Sequence, residues 1–236
     1  MKTTKLIFKL FLFSLVFISC DKDSDEIIDS SLNTDYNIIV SSEGNFMAKD
    51  GSISYLTNDN SISSLFKYYD VNGAQLGGLI QSITFTDTDA YIILNDVNTI
   101  VVVDRYTFEK KSTITQGLVS PRYMAVFEGK GYVTNWNDGV NGYVSVIDLV
   151  TGTVESTNIS LAKGAERILA KENKLFVSHK YNSDGIVSIV DLGNSVVTEV
   201  KVKGDTDEIL LDNSGNLIVL SEGSTLYDED WNELGI

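Results

Sequence analysis

Residues 90–104 read Ala-Tyr-Ile-Ile-Leu-Asn-Asp-Val-Asn-Thr-Ile-Val-Val-Val-Asp. Two β-branched and aromatic runs enclose an Asn/Asp-rich turn, which is the chemistry of a tight hairpin. Each run is apolar at consecutive positions, which predicts strands buried on both faces. The pattern recurs. Gly131-Tyr132-Val133-Thr134-Asn135 precedes Tyr143-Val144-Ser145-Val146-Ile147-Asp148-Leu149, and Leu175-Phe176-Val177-Ser178-His179 precedes Ile186-Val187-Ser188-Ile189-Val190-Asp191-Leu192. Weaker copies flank these at 37–41 with 52–56 and at 217–221 with 225–228.

The period is regular. Asp104 and Asp148 are 44 residues apart, and Asp148 and Asp191 are 43 apart. Tyr91, Tyr132, Phe176 and Leu217 follow one another at 41, 44 and 41. Repeats of this length built from short strands predict an all-β fold, a β-propeller of four-stranded blades. About five units are present. A single blade exposes two apolar faces, so each needs neighbours on both sides. Asp104, Asp148 and Asp191 are expected to form turns by accepting nearby backbone N–H bonds. Helical periodicity is absent after residue 36.

The N-terminus has a different character. Lys2 and Lys5 precede an apolar run, Leu10 to Ile18, followed by Ser19 and Cys20. This is the layout of a secretory signal, and the run is short for a bilayer span. A small residue before a cysteine resembles a bacterial lipoprotein cleavage site. The expected organisation is a signal peptide at 1–19, a lipidated acidic tether at 20–35 and the propeller at 36–236. Cys20, the sole cysteine, would carry the lipid, and more than one acyl chain would give stable anchoring. Asp21, Asp23 and Asp25 alternate as in a calcium loop, but the turn glycine and distal glutamate are missing.

Composition excludes several classes. Eighteen Lys and Arg against 33 Asp and Glu give a net charge of −15, with no basic cluster for a nucleic-acid backbone. His179 is the sole histidine, so a histidine-rich zinc site is excluded. There is no Gly-x-Ser-x-Gly elbow and no glycine-rich phosphate loop before a helix. The chain is therefore read as a non-enzyme without cofactor or metal.

Equivalent positions of the repeats carry polar pairs: Gln81-Ser82, Arg122-Tyr123, Glu166-Arg167 and Asp207-Glu208, again 41, 44 and 41 apart. They are placed at the entry of each inner strand. The ends of the next strands add Asn95, Asn135, Trp136 and His179, and Glu43 and Asn45 are first-blade equivalents. A face built from Glu43, Asn45, Gln81, Ser82, Arg122, Tyr123, Asn135, Trp136, Glu166, Arg167, His179 and Glu208 would suit a ligand. Trp136 and Tyr123 could stack on a planar group, and the arginines could hold a carboxylate or phosphate. The alternative is that these groups satisfy strand ends.

Several blocks together resemble one family. Ser42-Glu43-Gly44-Asn45-Phe46 with Gly51-Ser52-Ile53-Ser54-Tyr55, then Asn72-Gly73, Leu76-Gly77 and Gln81-Ser82, then Ser120-Pro121-Arg122-Tyr123-Met124 with Gly131 to Trp136, are similar to the surface-layer-like propeller lipoproteins with YncE-type repeats of Bacteroidetes. The resemblance spans roughly 36–228. It implies a seven-bladed ring, against which five units would be a truncated one. It also implies a binding protein at the outer membrane, on the cell surface or its periplasmic face. Such a protein would capture a corrinoid or similar nutrient beside a TonB-dependent transporter. A protein-interaction or adhesion module is the alternative, and a lyase or glycosidase with channel carboxylates is the third.

Overall fold

In the computed structural model, the described residues are 36–57, 62–182, 185–222, 226–227 and 233–235. All lie in the unit Asn33–Ile236. The signal peptide, Cys20 and the acidic tether fall outside them.

The first sheet holds β1 (Tyr36–Ser42), β2 (Ser52–Thr57) and β3 (Ile62–Ser64). The second holds β4 (Ile80–Phe85), β5 (Asp89–Leu94), β6 (Thr99–Asp104) and β7 (Lys110–Ile114). In the third, β8 (Pro121–Phe127), β9 (Lys130–Asn135) and β10 (Gly142–Asp148) run in order. There β11 (Thr153–Val154) and β12 (Ile159–Leu161) share the outer edge of β10. The fourth holds β13 (Ala165–Lys171), β14 (Lys174–His179), β15 (Ile186–Asp191) and β16 (Val197–Lys201). The fifth pairs β17 (Thr206–Leu211) with β18 (Leu217–Ser221). Each sheet is an antiparallel meander, and β1, β4, β8, β13 and β17 stand beside one another in that order. These are propeller blades. The last weak repeat departs from expectation: β19 (Leu226–Tyr227) pairs with β20 (Glu233–Gly235) rather than with β18.

The consecutive apolar runs are explained by alternation between two interfaces. On β5, Ile92 and Leu94 point toward the first blade and pack with Ile53, Ile80, Val101, Val103 and Phe108. Their neighbours Tyr91 and Ile93 point the other way and join Ile100 and Val102 against Met124, Val133 and Ile147 of the third blade. The scheme repeats at the next interface, where Tyr132, Val144 and Val146 meet Ala165, Ile168, Leu175 and Val177. Burying one such side chain contributes about 1.5–3 kcal/mol, so each blade is stabilised by its neighbours. The edge strand β7 shows the contrast: only Ile114 is buried. The far face of the fifth blade leaves Leu210, Ile218 and Leu220 at least half exposed.

The repeated aspartates act as expected. Oδ1 of Asp104 accepts from Tyr106 and Thr107, that of Asp148 from Val150 and Thr151, and that of Asp191 from Gly193. The expectation of no helix is corrected by α1 (Lys67–Asn72), which links the first two blades. Six residues are too few to display a period. Tertiary contacts hold α1 instead: Tyr68 is buried in the first interface. The Asn72 amide donates to Tyr68 and Phe108 and accepts from Lys110. Gly73, at φ 65°, ends the helix in the left-handed conformation.

Candidate functional site

The polar pairs lie within the inner strands, one or two residues later than the sequence placed them. Every such strand slips register there: between Ile80 and Ser82, Pro121 and Met124, Ala165 and Ile168, and Thr206 and Ile209. A bulge sets extra residues against the partner strand and re-aims their side chains. Here it turns polar side chains from one blade toward the next.

The result is a chain of contacts across four blades. The Gln81 amide donates to the Tyr123 hydroxyl at 3.0 Å. The Arg167 guanidinium lies 3.9 Å from the Tyr123 ring centre, and its other side meets Glu208. Asp207 accepts from Lys180 at 3.1 Å. In parallel, Arg122 grips Glu166 through two hydrogen bonds of 2.9 and 2.8 Å and lies 3.9 Å above the Trp136 ring. Tyr181 meets Trp136 edge-on, with ring centres 5.5 Å apart. Among the described residues, the Trp136 indole N–H has no acceptor. Burial pushes the Tyr123 hydroxyl above its ordinary value of 10.0, so it stays protonated.

Beneath these side chains, hydroxyl groups tie the bulged backbone to the next blade. Ser82 donates to the Arg122 carbonyl at 2.7 Å. Thr134 accepts from the Tyr123 N–H and donates to the Glu166 carbonyl at 2.6 Å. Ser178 accepts from the Arg167 N–H and donates to the Asp207 carbonyl at 2.5 Å. Each latch satisfies backbone groups that a bulge removes from the ladder.

Three predicted contact residues are corrected, because they have no open surface to offer a ligand. Asn135 is fully buried. Its oxygen accepts from Val119, and its amide donates to Val133 and Ser145. His179, its repeat equivalent, is equally buried. Its Nδ1 is 2.8 Å from the Lys163 carbonyl, which can only accept, so Nδ1 carries the proton and Nε2 accepts from Ser188. Burial pulls its pKa below 6.5 and keeps the ring neutral at pH 7. Glu166 is 2% exposed, and both of its oxygens serve Arg122. Burial of polar groups with full partnering marks these three as structural.

Glu43 and Asn45 are exposed in the β1–β2 loop and join none of these contacts. The Glu43 carbonyl accepts from Ile80. The Asn45 side chain caps a turn through Met47 and Ala48. Gly44 has φ 90°, and a Cβ there would collide with the Gly51 nitrogen, so the Ser42–Asn45 block serves loop closure. What remains together and accessible is Gln81, Arg122, Tyr123, Trp136, Arg167 and Glu208. Tyr181, Thr134, Ser178 and Lys180 belong to the same region and were missed. Thr134 and Ser178 left a signal, as hydroxyls 44 residues apart in otherwise apolar runs. Tyr181, in a loop, left none. No group of three His, Cys, Asp or Glu suited to a metal occurs among the described residues.

A family described as "Domain of unknown function (DUF5074)" matches residues 36–234. The chain belongs to that family. No curated protein matches the sequence. The DUF5074 chain is similar in fold to a streptogramin B lyase, with a TM-score of 0.59 at 16% identity over 79% of this chain and 62% of that one. It is also similar to virginiamycin B lyase from Staphylococcus aureus, with 0.57 at 16% over 78% and 62%. BamB from Moraxella catarrhalis follows, with 0.52 at 16% over 73% and 50%. At such identities the likeness extends to the propeller fold alone. The chain spans about half to three fifths of the length of these structures.

Proposed function

We propose that this chain is a non-catalytic ligand-binding lipoprotein, held at the outer membrane through lipid on Cys20. We further propose that it captures a planar nutrient of the corrinoid type for a TonB-dependent transporter. The observation that carries the binding reading is the pair of cation–ring contacts, Arg122 over Trp136 and Arg167 over Tyr123, with Arg122 and Tyr123 on the bulged β8 and Arg167 on the bulged β13 of the next blade. Rings fixed by guanidinium groups form a rigid stacking platform, and rigidity lowers the entropy lost on binding. Arg167 retains exposure for an anionic group of the ligand. The corrinoid and the transporter rest on the resemblance to YncE-type surface propellers. The sole histidine supports a non-catalytic reading, since both ring nitrogens are engaged and buried.

Calorimetric titration of cyanocobalamin into the purified protein tests this. Saturable heat is expected, lost in Trp136→Ala and weakened in Arg167→Ala. No heat at high micromolar ligand removes corrinoids. A protein-interaction or adhesion role is the second reading, favoured by Phe46 and Met47, which are 65% and 87% exposed. Specific capture of an outer-membrane protein, abolished by Phe46→Asp, would support it over the first.

A further inference from the structure

Away from the stacked arginines, an open cavity of about 380 Å³ lies between the first blade and α1. It is lined by the apolar Ile53 and Leu76 and by three aromatic residues, Phe66 just before α1 and Tyr68 and Tyr69 within it. Tyr68 is buried, but Phe66 and Tyr69 are 55% and 51% exposed. Large rings left half in water around one hollow are costly unless something covers them.

Charge decides what that something is. Asp50 is the only charged residue among those described around the cavity. One of its oxygens accepts from the Asn45 N–H at 2.7 Å, and the second has no partner among the described residues. The adjacent lysines are turned elsewhere: Lys49 pairs with Asp96 at 3.5 Å, and Lys67 sits 4.8 Å over the Tyr55 ring. No lysine or arginine therefore stands among the described residues that line the hollow. Aromatic faces attract cations through their negative quadrupole, and aromatic walls are the usual receptor for methylated ammonium groups. The overall charge of −15 would draw such ligands in.

We infer that the cavity formed by Asp50, Phe66, Tyr68 and Tyr69 binds a small organic cation bearing a methylated ammonium group. The ammonium faces the rings and Asp50, while its carbon chain lies over Ile53 and Leu76. This site is independent of the nutrient-binding face. The volume suits a molecule of choline size to a modest headgroup.

The test is calorimetric titration of the full chain in detergent with choline. Its neutral carbon isostere, neohexyl alcohol, and glycerophosphocholine are run beside it. Choline is expected to bind at least about tenfold more tightly than the isostere, the size of effect that desolvated cation–ring contacts give. Asp50→Asn and Tyr69→Ala should each weaken choline about fivefold or more. Both positions are exposed, so unchanged thermal melting verifies folding. Trp136→Ala should leave choline binding intact, which separates this site from the stacked face. Binding of glycerophosphocholine equal to that of choline would assign the headgroup of a lipid as the source. Equal affinity for choline and neohexyl alcohol, or no binding of either, overturns the inference.

Discussion

Replacing Arg122 by alanine should nearly unfold the protein, and the reason lies in its partner. Glu166 is 2% exposed and has both oxygens on the guanidinium. Removing the arginine strands a carboxylate between two blades, a loss of about 3–5 kcal/mol for a buried pair broken on one side. The stack on Trp136 adds about 0.5–2 kcal/mol. The total, roughly 3.5–7 kcal/mol, rivals the whole stability of an ordinary domain at about 5–15 kcal/mol. Replacing both partners together, Arg122→Met with Glu166→Leu, removes the charge along with its counter-charge and should cost about 2 kcal/mol or less. Urea unfolding in a Trp231→Phe background would measure both, since Trp136 is then the sole tryptophan. Circular dichroism would report the strands. Additivity of Arg122→Met and Glu166→Leu, measured singly and together, within about 0.5 kcal/mol, or a cost below about 1 kcal/mol for Arg122→Ala, would refute the assignment of this pair as a buried inter-blade clamp.

Three more outcomes follow from the same contacts. His179 is held neutral by burial, so the unfolded chain binds its proton first. The stability it contributes should be complete above pH 6.5 and decline as the pH falls below it; a His179→Asn variant, which copies Asn135, should lose that dependence in pH-resolved urea melts. For Asp104, burial opposes the charge. The Thr107 and Tyr106 N–H groups and Lys111 prevail and hold the carboxyl at about 2. The wild type should therefore lose about 2 kcal/mol relative to Asp104→Ala as the pH falls from 4 through 2, and a constant difference over that range would contradict it. Thr134→Val removes the latch to the Glu166 carbonyl and should cost about 1–3 kcal/mol, with hydrogen exchange accelerating at the bulge of β8 rather than in β10.

The propeller was legible in sequence because its physics is local and repeated. A strand covered on both sides must be apolar at every position, as at 91–94, and a turn must offer an acceptor, as at Asp104, Asp148 and Asp191. Both demands recur in each blade and leave a period. The six-residue α1 left none, since its helix exists through the packing of Tyr68 and the bonds of Asn72. The site was half legible. Repetition marked Arg122, Tyr123, Glu166 and Arg167 as equivalent, but equivalence does not say whether a polar side chain faces solvent or the next blade. That depends on a bulge, which slips the register without altering residue type. Asn135 and His179 likewise read as strand-end polar groups until the chain folds. Only the fold brings Ser145 and Ser188 within reach and closes the space around them.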